Sequence, residues 1–318
     1  MSAYSLTYYV TVMRVFVAGA TGVLGREAVR ALRGAGHDVT GVARAPAKAQ
    51  LLEGLGARSA SVDLFDPTAV ATAVKGFDAV CNLATNIPTP SRYFRRSPWG
   101  TNNRLHVEAS RHLVDGALAN GATRYVQHSV AFMYADGGDG SLTESAPLDP
   151  PPHGLAVVEA EMQAQRFTAA GGAGVALRFG FFYGPPADTA LNFVRIARMG
   201  VLPLPGDDSA YISWIHTDDL GPAVVAALES PSGIYNVVDD EPITRSEWAR
   251  ILASALGRKR LRRPPAVAAR MMGKRFEYLA RSQRVTNASF KTTGWAPTVP
   301  SPRAGWTHLA ADVRQPRT

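Results

Sequence analysis

The chain of 318 residues has a single cysteine, Cys81, no unbroken apolar run of membrane-spanning length, and no lysine between Lys75 and Lys259. The lone thiol closes no intrachain disulfide and gives no spaced ligand set, so neither a disulfide scaffold nor a cysteine-built metal site is expected. That usage favours a reducing, cytoplasmic compartment. Without about 18 consecutive apolar residues there is no transmembrane helix. The first dozen residues also lack the basic start and long apolar segment of a secretory signal. Met13 directly precedes the first strand-like run, which points to Met13 as the natural start and to residues 1–12 and 310–318 as flexible ends.

Hydrophobic residues make up 46% of the chain and charged residues 19%, the composition of a globular protein with one large or two modest domains. The formal charge of +8 is densest at Arg258, Lys259, Arg260, Arg262 and Arg263. That cluster reads as a solvated surface. No zinc finger, basic zipper or aromatic-interleaved basic motif accompanies it, so neither nucleic acid nor a membrane is an expected partner. There is no internal repeat, no low-complexity block and no metal-ligand spacing.

The most informative stretch runs from Val15 to Val29. An apolar strand pattern enters Gly19, Gly22 and Gly25, spaced G-x-x-G-x-x-G, and an amphipathic helix pattern leaves. Gly19 permits the turn, Gly22 lets backbone approach a pyrophosphate, and Gly25 lets the helix pack on the strand. The helix N-terminus favours the anion. Dinucleotide binding is therefore expected from Gly19, Thr21, Gly22, Val23, Leu24 and Gly25. At the end of the second strand an acid would bind the ribose hydroxyls of NAD. This chain has Arg44 and then Lys48, and positive charge suits a 2′-phosphate, so NADP(H) is favoured over NAD(H).

Strand and helix patterns then alternate: a helix over 51–55, a strand ending at Asp63 and Leu64, a helix over 67–74, a strand over 79–84, a long helix over 103–119 and a strand over 124–129. This alternation predicts an α/β fold, a Rossmann-type doubly wound parallel sheet with right-handed crossovers. Ligands gather at the strands' carboxyl ends. That places Asp63 and Leu64 near the adenine and Leu83, Ala84, Thr85 and Asn86 near the nicotinamide half. A Rossmann domain over 13–178 plus about 213–240 is expected. A smaller, discontinuous substrate-binding cap is expected over about 179–212 and 241–309.

The order of features resembles the extended short-chain dehydrogenase/reductase family, which includes nucleotide-sugar epimerases and dehydratases. The resemblance rests on 19–25, Asp63-Leu64, Asn82-Leu83-Ala84, 124–134, 175–185, 214–220, Tyr235-Asn236-Val237 and Gly294-Trp295-Ala296-Pro297. It implies that a Tyr exchanges the substrate proton, that a Lys four residues on lowers its pKa, and that a Ser or Thr binds the same oxygen. Residues i and i+4 share a helix face, and the ammonium stabilises phenolate. Here, with Glu161 aligned to the family's trailing acid, the Tyr position is His153 and the Lys position Val157. The hydroxyl position is Val130, beside Ser129. No Y-x-x-x-K occurs in 131–170. The remaining candidates for the reaction centre are His153, Ser129 and Tyr134, with Phe179 and Ser129 also at the coenzyme.

A substrate pocket lined by Asn86, Phe181, Tyr183, Asn192, Phe193, Tyr211 and Trp214 is expected between sheet and cap, suited to a small apolar or aromatic molecule. The position where the resemblance implies an Arg on a sugar-nucleotide diphosphate is Ile212. Such a ligand would lose on the order of 1.5–3 kcal/mol there. Thr217 is expected to cap the helix that follows it, Thr244 and Glu247 to form a capping box, and a helix to run over about 266–280. The resemblance also implies a homodimer through the helices over 103–119 and 156–169. The reading these features favour is an NADP(H)-dependent oxidoreductase acting on a small hydrophobic carbonyl or enone. A non-redox isomerase, cyclase or lyase and an NADP-sensing binding protein are the alternatives.

Overall fold

The computed structural model describes residues 11–88, 99–185, 187–271, 273–274 and 276–312. Strands β1 (Arg14–Ala18), β2 (Asp38–Val42), β3 (Arg58–Ala60), β4 (Ala79–Asn82) and β5 (Arg124–Val130) build most of one sheet. After the short β6 (Ser141–Leu142), β7 (Ala173–Phe179) continues it. Then come the short β8 (Phe181–Tyr183), β9 (Tyr211–Ile212) and β10 (Trp214–His216), and β11 (Gly233–Val237) completes the sheet. Its order is β11-β7-β5-β4-β1-β2-β3, and every pairing is parallel. The chain reverses direction across the sheet between β1 and β4, where open α/β sheets form a ligand crevice.

The strands are apolar on both faces because helices cover both. Val15, Phe16, Val17 and Ala18 are all fully buried, the mark of a central parallel strand. On one face lie α1 (Val23–Gly34), α2 (Pro46–Gly54) and, later, α8 (Leu220–Glu229). On the other lie α3 (Pro67–Ala73), α5 (Ser110–Ala119) and α6 (Leu155–Ala169). Two strand connections differ from the sequence-based expectation. Helix α2 begins at Pro46, where proline's fixed φ suits a first helical position. The segment expected as one helix over 103–119 is α4 (Gly100–Arg104), a π-helical turn (Leu105–Ala109) and then α5.

A separate apolar cluster forms beyond the sheet from α7 (Asp188–Arg198), α9 (Arg245–Ala255) and β8 to β10. Here β8 pairs with β10, and β9 pairs with β12 (Ile243–Thr244). The helix expected over 266–280 is split into α10 (Ala266–Met271) and a 3-10 turn (Glu277–Ala280). Next, β13 (Arg284–Val285) pairs with β6, and α11 (Ala288–Lys291) leads to α12 (Pro302–Asp312). That last helix buries Trp306, Leu309 and Ala310 in the cluster, so the chain is packed where a flexible end was expected from residue 310. Residues 313–318, and 1–10 at the other terminus, lie outside the described residues. The capping box at Thr244 and Glu247 is present. Thr217 caps nothing: its hydroxyl donates to the Pro185 carbonyl at 2.8 Å, and the His216 ring accepts from the Asp218 amide instead.

Candidate active site

The glycine turn joins β1 to α1 at the carboxyl edge of the sheet. Gly19 has φ +78°, and a Cβ there would lie 2.5 Å from the Leu83 carbonyl and the Ala84 nitrogen. A Cβ on Gly25 would lie 2.1 Å from the Gly19 oxygen, so both glycines are required by close backbone approach. At Gly22, the residue before α1, an added Cβ would meet only the Gly19 oxygen at 3.5 Å. That open side is the cradle a pyrophosphate needs. No side chain caps α1 and no acid stands in its first turn, which leaves amides and the positive dipole end for an anion. Thr21 and Val23 flank the opening, both half-buried, whereas Leu24 is buried in the core below.

The other expected coenzyme residues lie along the same edge. Arg44 and Lys48 are exposed just past β2, and no acid intervenes before Glu53. Asp63 is exposed and accepts the Phe65 amide at 3.0 Å, while Leu64 is buried beside it. Leu83 and Ala84 are buried below the exposed Thr85 and Asn86; the Leu83 amide donates to Ala18 and the Asn86 amide to the Asn102 side chain, both at 2.9 Å. These residues fit a dinucleotide. Phe179 does not line the cradle. Its ring is fully buried and stacks on His128, since alternation along β7 turns it into the sheet's covered face. Burial, with His106 adding to it, pushes His128 down to about 3.

Behind the expected reaction centre lies a buried polar network that sequence reasoning did not assemble. Glu161 on α6 and Arg178 on β7 form a two-point ion pair, both contacts 2.7 Å, with side chains 3% and 4% exposed. Ser129 donates to the same carboxylate at 2.5 Å. Arg178 also donates to the Tyr134 hydroxyl at 2.9 Å and to the Glu144 carbonyl at 3.1 Å. Tyr134 in turn donates to Asn236 at 2.7 Å, and the Asn236 amide donates to Glu144 at 2.9 Å. Burial raises the Tyr134 phenol despite Arg178, the reverse of what an activated phenol shows. Ser129 and Tyr134 therefore come together, but through Glu161 and Arg178. Arg178 was visible in the sequence only as a strand residue; nothing in it signalled the pairing.

His153 stands just before α6, apart from that network and buried among rings. Its ring centroid is 4.3 Å from Trp99 and 5.4 Å from Tyr278. Tyr278 continues to Phe132 at 5.2 Å, and Phe132 stacks on Phe181 at 5.4 Å. Of the expected pocket residues, Phe181, Asn192, Phe193 and Tyr211 are half-buried. Arg195 donates to Asn192 at 2.8 Å, and Arg284 lies over the Tyr211 ring. Tyr183 and Trp214 do not line a cleft: they are 0% and 1% exposed and fill the cap's core, packed on Trp306. Large rings at these positions are needed to bury the cap's apolar faces. Trp99, Phe132 and Tyr278 carry no signal in the sequence, because they come from three unrelated segments. No group of acids, histidines or cysteines among the described residues could hold a metal.

The model described as the NAD dependent epimerase/dehydratase family matches residues 15–238. The chain belongs to that family. Members bind NAD(P), in agreement with the glycine cradle. The chain is 37% identical over 306 residues to "3-diazoavenalumate denitrifying reductase" of a Streptomyces species, covering 92% of this chain and 99% of that protein. It is 27% identical over 269 residues to "2-alkyl-3-oxoalkanoate reductase" of Shewanella oneidensis, covering 77% and 67%. Among solved structures, human epimerase family protein SDR39U1 with NADPH superposes with a TM-score of 0.75 over 94% of this chain and 99% of that one, at 23% identity. That likeness supports the extended short-chain dehydrogenase/reductase fold. No helix among the described residues is long and apolar enough to cross a membrane.

Proposed function

We propose that this protein is an NADP(H)-dependent reductase whose substrate is a small planar electrophile that, once reduced, takes no proton from the protein. One observation carries the reading: no Y-x-x-x-K occurs over 131–170, and with Glu161 aligned to the family's trailing acid His153 and Val157 fall at the places of its proton-donating Tyr and its Lys. The neighbouring hydroxyls are engaged elsewhere, Ser129 with Glu161 and Tyr134 with Asn236. The bound coenzyme supplies hydride. A carbonyl that accepts hydride becomes an alkoxide and needs a proton. An arenediazonium ion differs: hydride on the ring carbon gives the arene, and the C–N bond breaks to release N2. Charge and atoms then balance with no acid. The 37% identical relative, named for denitrifying a diazo acid, supports this electrophile.

In this reading Gly19, Thr21, Gly22, Val23 and Gly25 hold the pyrophosphate, Asp63 the adenine side, and Arg44 with Lys48 the 2′-phosphate. Leu83, Ala84, Thr85 and Asn86 border the nicotinamide half. Glu161, Arg178, Ser129 and Tyr134 hold β5, β7 and α6 in place. A second reading, reduction of a hydrophobic carbonyl or enone with His153 as acid, is favoured by the relative named as an oxoalkanoate reductase. The experiment is NADPH oxidation by purified protein, assayed with an arenediazonium carboxylic acid and with a ketone and enone panel. Turnover of the diazo compound, retained in His153→Phe, is expected. Turnover of ketones alone, abolished in His153→Phe, would overturn it in favour of the second reading.

A further inference from the structure

The ring chain over the sheet's carboxyl edge has two kinds of member. Trp99, His153 and Tyr278 are 6%, 7% and 3% exposed, whereas Phe132 and Phe181 are half-buried. Phe132 sits on the 3-10 turn (Ala131–Met133) directly after β5, and Phe181 opens β8 two residues after β7. The two partly open rings therefore stand side by side above adjacent strands of the sheet, where a doubly wound fold places its ligand. They are 5.4 Å apart and tilted by only 22°, so the two rings stack on one another and are partly exposed as a pair.

That pair is held by its neighbours. Tyr278 packs on Phe132 at 5.2 Å and Trp214 on Phe181 at 5.7 Å. The Phe181 amide donates to the Ser213 carbonyl at 3.0 Å, and a Cβ on Gly180 would lie 2.8 Å from that same oxygen. The backbone ahead of Phe181 is thus pinned against β10. Rings held in this way lose little freedom when a ligand packs on them, and aromatic contacts, edge-to-face as well as offset-stacked, favour a flat π-system over a puckered one of equal bulk.

We propose that Phe132 and Phe181 form the subsite that selects a planar aromatic substrate over an aliphatic one, Phe132 and Phe181 acting as specificity-determining residues. The proposal rests on the reductase reading above and names the residues that distinguish its arene from an aliphatic competitor.

The test is equilibrium binding of two unreactive acids to the NADP⁺-loaded protein, trans-cinnamate and its saturated-ring counterpart 3-cyclohexylacrylate, in the parent, Phe132→Leu and Phe181→Leu. The parent is expected to bind cinnamate about fivefold or more tightly over cyclohexylacrylate, and each leucine variant to bring the ratio close to one. The NADPH dissociation constant, unchanged in both variants, establishes that they are folded. A ratio near one in the parent, or one that persists in both folded variants, would overturn the subsite while leaving the reductase reading intact. A parent that binds no NADPH would overturn both.

Discussion

Replacing Glu161 by Gln isolates the buried ion pair. The carboxylate accepts two bonds from Arg178, each 2.7 Å, and one from Ser129 at 2.5 Å, and neither charged partner is more than 4% exposed. Glutamine keeps the shape and one acceptor but leaves the guanidinium's charge uncompensated in the interior. Removing one partner of a buried pair costs about 3–5 kcal/mol, and the retained acceptor places this variant at the lower end, about 3 kcal/mol. At roughly 2–4 °C per kcal/mol for a chain somewhat shorter than this one, the melting temperature falls by about 6–12 °C. The assay is urea unfolding followed by tryptophan emission, with the same m-value as the parent. Because the network is structural in this account, the NADPH dissociation constant and the turnover per folded molecule stay within about twofold. A loss of stability below about 1 kcal/mol would refute the ion-pair reasoning. Full stability with abolished turnover would instead make the carboxylate part of the chemistry.

Other consequences follow from the same geometry. Arg44→Ala raises the dissociation constant of NADPH about tenfold, the worth of one charge-assisted bond, and leaves that of NADH unchanged in parallel fluorescence titrations. Gly25→Ala, whose methyl would lie 2.1 Å from the Gly19 oxygen, loses coenzyme binding in the same assay. His128 is held near 3 against an ordinary 6.5, so the folded state binds fewer protons than the unfolded one. Its stabilisation is complete above about pH 6.5 and is lost as pH falls towards 3, about 1.4 kcal/mol per unit. His128→Phe flattens the chemical-denaturation profile between pH 6.5 and 5. Burial raises Asp239 well above its usual range, and the sign reverses: stability falls as pH rises from about 4. Asp239→Asn therefore melts higher than the parent at pH 7 and no higher at pH 4.

The glycine turn was legible because local chemistry dictates it. Gly19 and Gly25 have contacts that no other residue could make, and backbone requirements of that kind leave a direct trace in sequence. The strand pattern was equally open, since a strand covered on both faces must be continuously apolar. The proposed reaction centre reads in the sequence only as a loss, at His153 and Val157, because its positive features depend on long-range neighbours. Arg178 meets Glu161 across 17 positions and Tyr134 across 44, and no periodicity encodes such pairings. Tyr183 and Trp214 misled for a related reason: an aromatic residue reads alike whether it lines a cleft or fills a core, and only the packing of Trp306 and Trp248 decides. The helix expected over 103–119 failed at the π-helical turn, which preserves the apolar pattern while shifting the hydrogen bonds by one residue.

In the proposed function an intact coenzyme cradle adjoins a reaction centre with no dedicated proton donor. That function is tested most directly by the origin of the hydrogen in the product. Protein is incubated with an arenediazonium carboxylic acid and NADPH deuterated at the transferable position, and in parallel with unlabelled NADPH in D2O, while released N2 is measured by mass spectrometry. The account predicts one N2 per NADPH oxidised, with deuterium on the ring carbon from the coenzyme and none from the solvent. Deuterium taken from D2O, or NADPH oxidised with the nitrogen retained, would contradict it.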